Sequence, residues 1–213
     1  MSESTIDRIL DVAERLFSEQ GYRAVAVRAV TRESGLSVSA VHYHFGSKQA
    51  LLEAVFERRA APLTSARLEL LEQFKSDGHE LTLERIVQAF LQPGFLDSQK
   101  VGDSESSRFI RLRTMIANED TELFQKLTVK HFDTVSQIFL KEIRAVLPDI
   151  PYDSLVWRFH FLLGAQYYAL SNSSRVESLS HGLTNHTDTR FALAELITFV
   201  SGGLRSAGVK IDI

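Results

Sequence analysis

The stretch that decides the fold is GLSVSAVHYHFGSKQALL, residues 35–52. It opens with Gly35, a residue that readily takes the positive φ of a tight turn. Ser37 follows at the place where a hydroxyl caps a new helix, and that helix is predicted to reach Phe45. A Gly-Ser pair then interrupts the chain, and its serine can cap a further helix that begins at Lys48. The stretch therefore predicts a short helix set between two tight links.

Two more helices are predicted upstream of this stretch. The first carries apolar residues at spacings of three and four, the pattern of one helix face, and it ends at Gly21. Its apolar residues are Ile6, Ile9, Leu10, Ala13, Leu16 and Phe17. The second covers residues 28–34 and would pack on the third through Val30, Leu36 and Val41. Three helices joined by tight links are typical of a helix-turn-helix, whose last helix enters the DNA major groove.

The third helix and its flanks carry side chains that suit a DNA groove. Small residues at its start let the backbone approach closely, serine hydroxyls can bond base edges or phosphates, and an alanine can touch a thymine methyl. Tyrosine and histidine can donate to phosphate oxygens, and a lysine beside the first amides of the fourth helix suits a phosphate. The candidate DNA-contacting residues are Arg28, Ser37, Ser39, Ala40, His42, Tyr43, His44 and Lys48.

Charge and histidine spacing both bear on this interpretation. The chain has a net charge of −3, whereas its basic side chains outnumber its acidic ones within residues 21–48. Local positive charge attracts the phosphate backbone, although an excess of this size is common on ordinary protein surfaces.

His42 and His44 diverge by about 200° around a helix, so their side chains do not converge on one ion. We therefore expect no metal site here.

Residues 9–56 resemble the DNA-binding domain of TetR-type transcriptional repressors. The resemblance is carried by residues 35–52 and by GYRAVAVRAV, residues 21–30, which is similar to the Gly-aromatic entry into the family's second helix. It implies a regulator that binds a palindromic double-stranded DNA operator as a homodimer and is released by a small effector. One departure is residues 25–27, Val-Ala-Val, where the family usually has a Thr or Ser that touches phosphate. Arg28 is expected to take over that contact.

The rest of the chain predicts an all-α architecture in two parts. A helix-turn-helix domain covers residues 1–47, a linking helix residues 48–61, and an effector-binding and dimerisation domain residues 62–213. No segment alternates apolar and polar residues as a half-buried strand does. The last two long helices are apolar on several stripes, so either a second copy forms a four-helix bundle with them or the rest of the domain covers them. Small residues that permit close approach are Gly164, Ala165, Ala169, Ala192 and Ala194.

The second part contains polar side chains among aromatic ones, which is compatible with an effector pocket. Buried polar groups need partners, and a ligand head group can be one, although satisfied core groups and surface arginines are the alternative reading. The candidate ligand-binding residues are Phe109, Arg113, Phe132, Trp157, His160, Gln166 and Tyr167. Residues 57–72 and 157–170 look like the PsrA-like branch of the family, which implies a lipophilic acid, free or as an acyl-CoA thioester, as effector. An arginine suits its carboxylate or phosphate.

Several other classes of protein are not expected. The chain has no cysteine, which excludes disulfides, thiolate zinc sites and cysteine nucleophiles. It has no Gly-rich phosphate loop, nucleophile elbow or His-Glu-x-x-His pattern, so we expect neither an enzyme nor a cofactor. The first residues lack the apolar core of a signal peptide, and no run of about 18 apolar residues suggests a membrane span. We expect a cytoplasmic regulator; an activator, or a DNA-binding protein of the same fold without an effector, remains open.

Overall fold

The computed structural model describes residues 5–97, 105–171 and 173–208, and within these ranges it contains helices and connecting turns but no strand. The all-α prediction is confirmed. A π-helical segment, Val129–Asp133, joins two of the helices without a break. None of the described helices is long and apolar enough to cross a membrane. The helices are α1 (Thr5–Gln20), α2 (Val27–Ser34), α3 (Val38–Phe45), α4 (Lys48–Ser76), α5 (Leu83–Asp97), α6 (Glu105–Glu119), α7 (Thr121–Thr128), α8 (Thr134–Val146), α9 (Tyr152–Ser171), α10 (Ser174–Leu179) and α11 (Thr189–Arg205).

The chain divides into two compact units. The first unit comprises Met1–Thr64 and Lys100–Thr134, and the second comprises Ser65–Gln99 and Val135–Ile213. Helices α6 and α7 and the π-helical segment therefore belong to the same compact unit as the three N-terminal helices. The division by function into a DNA-binding part and an effector-binding part, drawn after the linking helix in the sequence analysis, stays a prediction.

Helix α4 is longer than the predicted linking helix of residues 48–61. Proline usually ends a helix, because it lacks an N–H and its ring crowds the preceding turn. Here Pro62 lies inside the helix, which continues to Ser76. Ala60 is fully buried just before it, and the hydroxyl of Thr64 donates to the Ala60 carbonyl at 2.8 Å just after it. The helix therefore accommodates the exposed proline and continues on both sides of it.

The core of the first unit forms around aromatic rings from three helices. Phe17 of α1 and Phe56 of α4 are fully buried. The ring of Phe56 packs edge-on against Phe109 of α6, with 5.2 Å between the centroids. Tyr22, in the turn after α1, packs edge-on against Phe17 at 5.5 Å. The helix-turn-helix therefore shares its core with α4 and α6.

The core of the second unit forms around Phe90 of α5. Its ring packs edge-on against Phe139 of α8 and Phe159 of α9, at 5.1 Å between centroids in each case. Helix α11 packs against α5 and α9 with its inner face, on which Val200 and Leu204 are buried. The opposite faces of α9 and α11 carry large exposed apolar side chains.

Candidate nucleic-acid interface

The turn between α2 and α3 has the local chemistry that the sequence predicts. Helix α2 ends at Gly35, which takes a left-handed conformation with φ 68°. The hydroxyl of Ser37 accepts a hydrogen bond from the amide of Ala40 at 3.1 Å, so the predicted cap of α3 is confirmed. Ala26 precedes α2 and offers no side-chain cap, in keeping with the departure noted at residues 25–27.

The buried side of this motif holds α3 in place. Val30 of α2 and Val41 of α3 are buried in the same core cluster, and Leu36 packs against it from the turn. Val25 is also buried there, so an apolar side chain fills the place before α2 where the family usually has a hydroxyl. Because Val41 and Phe45 of α3 pack inward, the opposite side of the helix forms its outer face.

That outer face is polar and strongly exposed. Ser37, Ser39, His42 and His44 are exposed, and Ala40 is half-buried. Tyr43 has 86% of its surface exposed, far more than Val38, the other exposed large apolar side chain of α3, at 38%. Its ring lies edge-on to that of His44 at 5.2 Å. A rigid helix with small residues at its start and a projecting tyrosine fits the dimensions of a major groove.

His42 and Val38 each add a detail that the sequence analysis did not contain. The Nδ1 atom of His42 lies 2.9 Å from the carbonyl oxygen of Gly46, so one side of this ring is engaged with the end of its own helix. Val38, in the first turn of α3, is 38% exposed and is a further apolar side chain on the outer face. An apolar residue there can contact thymine methyl groups. Only its exposure identifies it, because valine is usually a core residue.

The Lys48 side chain is more enclosed than that of a lysine that lies on the surface and only contacts phosphate. Its Nζ donates to the carbonyl oxygen of Arg23 at 3.2 Å and lies 4.6 Å from the centre of the Tyr22 ring. Burial lowers the pKa of Lys48. The lysine therefore binds the turn between α1 and α2 to the start of α4, where the predicted cap is confirmed by the 3.0 Å bond from the amide of Ala50 to the Ser47 hydroxyl.

Arg28 lies in the first turn of α2 and is exposed. Within residues 5–97, 105–171 and 173–208, no acidic side chain forms an ion pair with it. Its position beside the first amides of α2 suits a phosphate contact, and the role of Arg28 in place of the missing hydroxyl stays a prediction. Arg32, one turn further along α2, is exposed as well.

A buried carboxylate fixes α1 to α4 behind this face. Glu14 is fully buried and receives the guanidinium groups of Arg58 at 2.7 Å and Arg59 at 2.8 Å. Arg58 also reaches Asp11 at 2.7 Å. Sequence reasoning missed this cluster, although a signal exists: Glu14 stands four residues after Leu10 on the apolar face of α1. Removing one partner of such a cluster leaves a buried charge uncompensated.

Helices α6 and α7 brace the turn between α1 and α2. The amide of Arg23 donates to the Glu119 carboxylate at 2.9 Å, and its guanidinium lies 3.4 Å from Asp120. Gly21 lies against Glu119 so closely that a side chain at this position would collide with that carboxylate. The hydrogen bond from the amide of Leu123 is the largest cause of a lowered pKa at Asp120. The turn that Lys48 touches is thus also held from α6 and α7.

Three of the seven predicted ligand-binding residues come together in the first unit. The guanidinium of Arg113 lies 5.9 Å from the centre of the Phe109 ring and 5.1 Å from that of Phe132. The Phe124 ring lies 5.9 Å away as well and was missed from the sequence. Both Phe109 and Phe132 are buried. An arginine among aromatic rings can bind the polar end of an apolar molecule.

The other four belong to α9 in the second unit. Trp157 is 63% exposed and lies edge-on to the exposed His160 at 6.0 Å, so both are on the outer face of the helix. Gln166 is buried, and its Oε1 accepts a hydrogen bond from the buried Arg67 at 3.2 Å. Tyr167 is half-buried. The structure thus divides these seven residues among several environments, and a role for each in ligand binding stays a prediction.

Two family descriptions match the chain. Residues 9–55 match the bacterial regulatory proteins of the tetR family, and residues 88–203 match the tetracyclin repressor-like C-terminal domain. No group of three or more His, Asp or Glu side chains that could hold a metal ion occurs in the part of the chain that the structure describes. The two family matches together extend the similarity from the N-terminal motif to the second half of the sequence.

Curated relatives and solved structures are similar to this chain over different lengths. The transcriptional regulator AcrR of Shigella flexneri is 30% identical over 76 residues, 36% of this chain and 35% of AcrR. UidR of Escherichia coli K12 is 24% identical over 179 residues, 76% of this chain and 90% of UidR. The structure of Bacillus subtilis FadR in complex with stearoyl-CoA has a TM-score of 0.65 and 12% identity, over 92% of this chain and 97% of FadR. The chain therefore belongs to the TetR family of bacterial transcriptional regulators.

Proposed function

We propose that the protein is a homodimeric repressor that binds a palindromic DNA operator through α3 and leaves it when a small lipophilic effector binds. The observation that carries this proposal is the outer face of α3, where small and hydrogen-bonding side chains are exposed on a helix whose apolar side is buried. We infer that it acts in the cytoplasm, because its DNA target is there. TetR regulators bind DNA as dimers and respond to small molecules.

The roles at the DNA follow from position and chemistry. Ser39 and Ala40 lie at the start of α3 and would meet base edges, whereas Tyr43 and His44 lie further along and would donate to phosphates. Arg28 at the start of α2 and Lys48 at the start of α4 would contact the backbone on either side, each beside helix amides that favour an anion. Backbone contacts set the register, and the residues at the start of α3 set the sequence preference.

The dimer would form on the outer faces of α9 and α11. Large exposed apolar side chains there are Val156, Trp157, Phe161, Leu163, Tyr168, Phe191 and Phe199. Many large exposed apolar side chains on two neighbouring helices indicate an interaction surface. Gly164 on α9 and Gly202 and Gly203 on α11 have open space where a side chain would project, which suits close approach of a second copy. Two helices from each copy would form a four-helix bundle.

The lipophilic effector is supported by the cluster around Arg113. Aromatic rings provide an apolar wall, and the guanidinium provides a charge for a carboxylate or phosphate. FadR of Bacillus subtilis, which has the same fold, was solved in complex with stearoyl-CoA, and this is compatible with an acyl-type effector here.

Selection of bound sequences from random double-stranded DNA tests the proposal. The full chain is expected to enrich one palindromic sequence, and enrichment is expected to fall when the selection is repeated with a fatty acid or acyl-CoA from a panel of chain lengths. Failure to enrich any sequence would contradict DNA recognition. If the protein enriches an operator but no fatty acid or acyl-CoA of the panel reduces this enrichment, the lipophilic effector is contradicted and the DNA-binding role is retained.

A further inference from the structure

The imidazole of His131 has an environment that the fold alone does not explain. Its side chain is only 3% exposed, and Nδ1 lies 2.8 Å from the carboxylate of Glu57 on α4, which is itself largely exposed. The other ring nitrogen, Nε2, is buried and has no hydrogen-bond partner among the described residues. One edge of the ring is thus bound to a surface carboxylate, and the other lies in the interior without a hydrogen bond to any described residue. Buried polar atoms of this kind are rare and need an explanation.

A second polar atom, close to His131 in the sequence, is also buried without a hydrogen-bond partner among the described residues. The hydroxyl oxygen of Thr128, three residues before His131, is buried and likewise lacks a hydrogen-bond partner in the described part of the chain. A helical threonine ordinarily bonds a carbonyl in the preceding turn, as Thr114 does here with Ile110 at 2.9 Å. Thr128 lies immediately before the π-helical segment Val129–Asp133. Short π-helical segments occur frequently at functional sites.

The surroundings of His131 are apolar, with one positive charge nearby. Its ring lies 6.2 Å from that of Phe56, which in turn contacts Phe109. Phe109 and Phe132 both lie close to the guanidinium of Arg113. The unpartnered nitrogen therefore belongs to the same aromatic cluster as the arginine. These are the components that bind a molecule with an apolar body and a polar end.

We propose that His131 and Thr128 bind the carboxyl group of an apolar organic acid, in an inference that rests on the proposed effector response and names the chemistry of its ligand. A carboxyl group suits His131 in both protonation states of the ring. With Glu57 accepting from Nδ1–H, an imidazolium presents Nε2–H to a carboxylate, whereas a neutral imidazole presents the Nε2 lone pair to the O–H of a carboxylic acid. The Thr128 hydroxyl can bond the second oxygen.

Glu57 is the positioning residue of this arrangement. Its bond to Nδ1 orients the ring and directs Nε2 into the interior, as carboxylates commonly do for functional histidines. Glu53, one turn earlier on α4, is held by Lys130 at 2.8 Å, and this bond is the largest cause of its lowered pKa. Glu53 and Glu57 of α4 are thus engaged with the π-helical segment from outside, and its inner side is left to the ligand.

The test compares matched acids and alcohols on the full chain by titration calorimetry. Decanoic acid and 1-decanol form one pair, and 2-naphthoic acid and 2-naphthol form another, so a flexible and a rigid apolar body are both tried. Decanoyl-CoA, whose carboxyl group is replaced by a thioester, is the fifth ligand. The variants are His131→Gln and Thr128→Val, with His79→Gln as the matched control because His79 is an exposed histidine in a turn.

Wild type is expected to bind at least one acid better than its alcohol. His131→Gln should weaken that acid by about tenfold or more and the alcohol by much less, since only the acid makes the hydrogen bond. Thr128→Val should act in the same direction with a smaller effect, and His79→Gln should behave as wild type. A cooperative thermal transition and unchanged operator affinity without ligand would verify that each variant folds.

Three results would overturn the inference. They are equal loss of acid and alcohol in His131→Gln, acid binding by His131→Gln as tight as that of wild type, and no binding of either acid to wild type, whether or not decanoyl-CoA binds. In each case release of the operator by another ligand of the panel would leave the proposed function standing. Absence of any releasing ligand would count against the effector response itself, so the two failures are distinguishable.

Discussion

The outer face of α3 and the outer faces of α9 and α11 are both exposed, yet they differ in chemistry. On α3 the exposed side chains are small, hydroxylic or imidazole-bearing, with Tyr43 projecting furthest. On α9 and α11 they are large and apolar, such as Phe161 and Phe199, beside glycines with free space. The first composition suits a hydrated polyanion and the second suits another protein surface. Exposure alone therefore does not identify a partner, whereas the composition of the exposed face does.

The largest effect is expected where the apolar face receives a charge. Phe199→Glu should convert the dimer to a monomer and weaken operator binding by about a hundredfold or more, because two linked heads bind far better than one. Analytical ultracentrifugation and fluorescence anisotropy measure the two effects. Val129→Glu is the control, since Val129 is an exposed apolar residue of the first unit. A stable Phe199→Glu dimer would exclude this face as the interface.

A substitution on the outer face of α3 is expected to weaken DNA binding without affecting the dimer. Tyr43→Ala should weaken operator binding by about ten- to a hundredfold, as loss of a projecting aromatic contact does at other interfaces, while the dimer persists. Tyr43→Phe keeps the ring and removes the hydroxyl, so it separates packing from the phosphate hydrogen bond. Ultracentrifugation and anisotropy serve again. Normal binding by Tyr43→Ala would mean that α3 docks differently.

A smaller effect is expected at Lys48, the first residue of α4, shortly after the end of α3. Lys48→Ala should weaken binding to all sequences alike and reduce the slope of log affinity against log salt by about one, the signature of one lost phosphate contact. Anisotropy over a series of salt concentrations measures this slope. A weaker complex with an unchanged slope would show that Lys48 acts by holding the Arg23 carbonyl rather than by touching DNA.

The smallest effect is expected at Asp120, which braces the turn from α7. The folded state lowers the pKa of its carboxyl, chiefly through the bond from the Leu123 amide. Its ionised form therefore stabilises the fold at neutral pH, and this contribution is lost as the pH falls below about 4. Asp120→Asn should melt slightly below wild type at pH 7, and the two curves should converge in acid. A difference that persists at pH 3 would contradict this cause.

Local chemistry explains why much of the α3 face could be predicted. A cap needs one hydroxyl and one amide a few residues apart, so Ser37 and Ser47 reveal it in the sequence. The turn at Gly35 and the inward positions of Val30 and Val41 follow from φ and from helical spacing in the same way. The missing cap at Ala26 was also evident, because no hydroxyl stands there.

The remaining features depend on pairing between distant segments. Glu14 binds two arginines more than forty residues away, as the 44- and 45-residue separations of these bonds record, and spacing does not reveal such partners. Pro62 lies inside a helix that continues past it to Ser76, which local propensity does not predict. The seven predicted ligand residues were chosen for polarity among aromatic rings, and that pattern fits both the Arg113 cluster and the exposed Trp157. His131, next to Phe132, shows the same pattern in the sequence, whereas Thr128 does not, and the missing hydrogen-bond partners of both are recognisable only from burial.

The central claim is that two α3 faces, joined through α9 and α11, read one palindromic operator. The most direct test is an anisotropy titration of the selected operator beside a duplex of equal length in which one half-site is scrambled. The intact palindrome is expected to bind two chains and to bind at least about a hundredfold more tightly than the single half-site. Equal affinity for the two duplexes, with one chain bound to each, would contradict it.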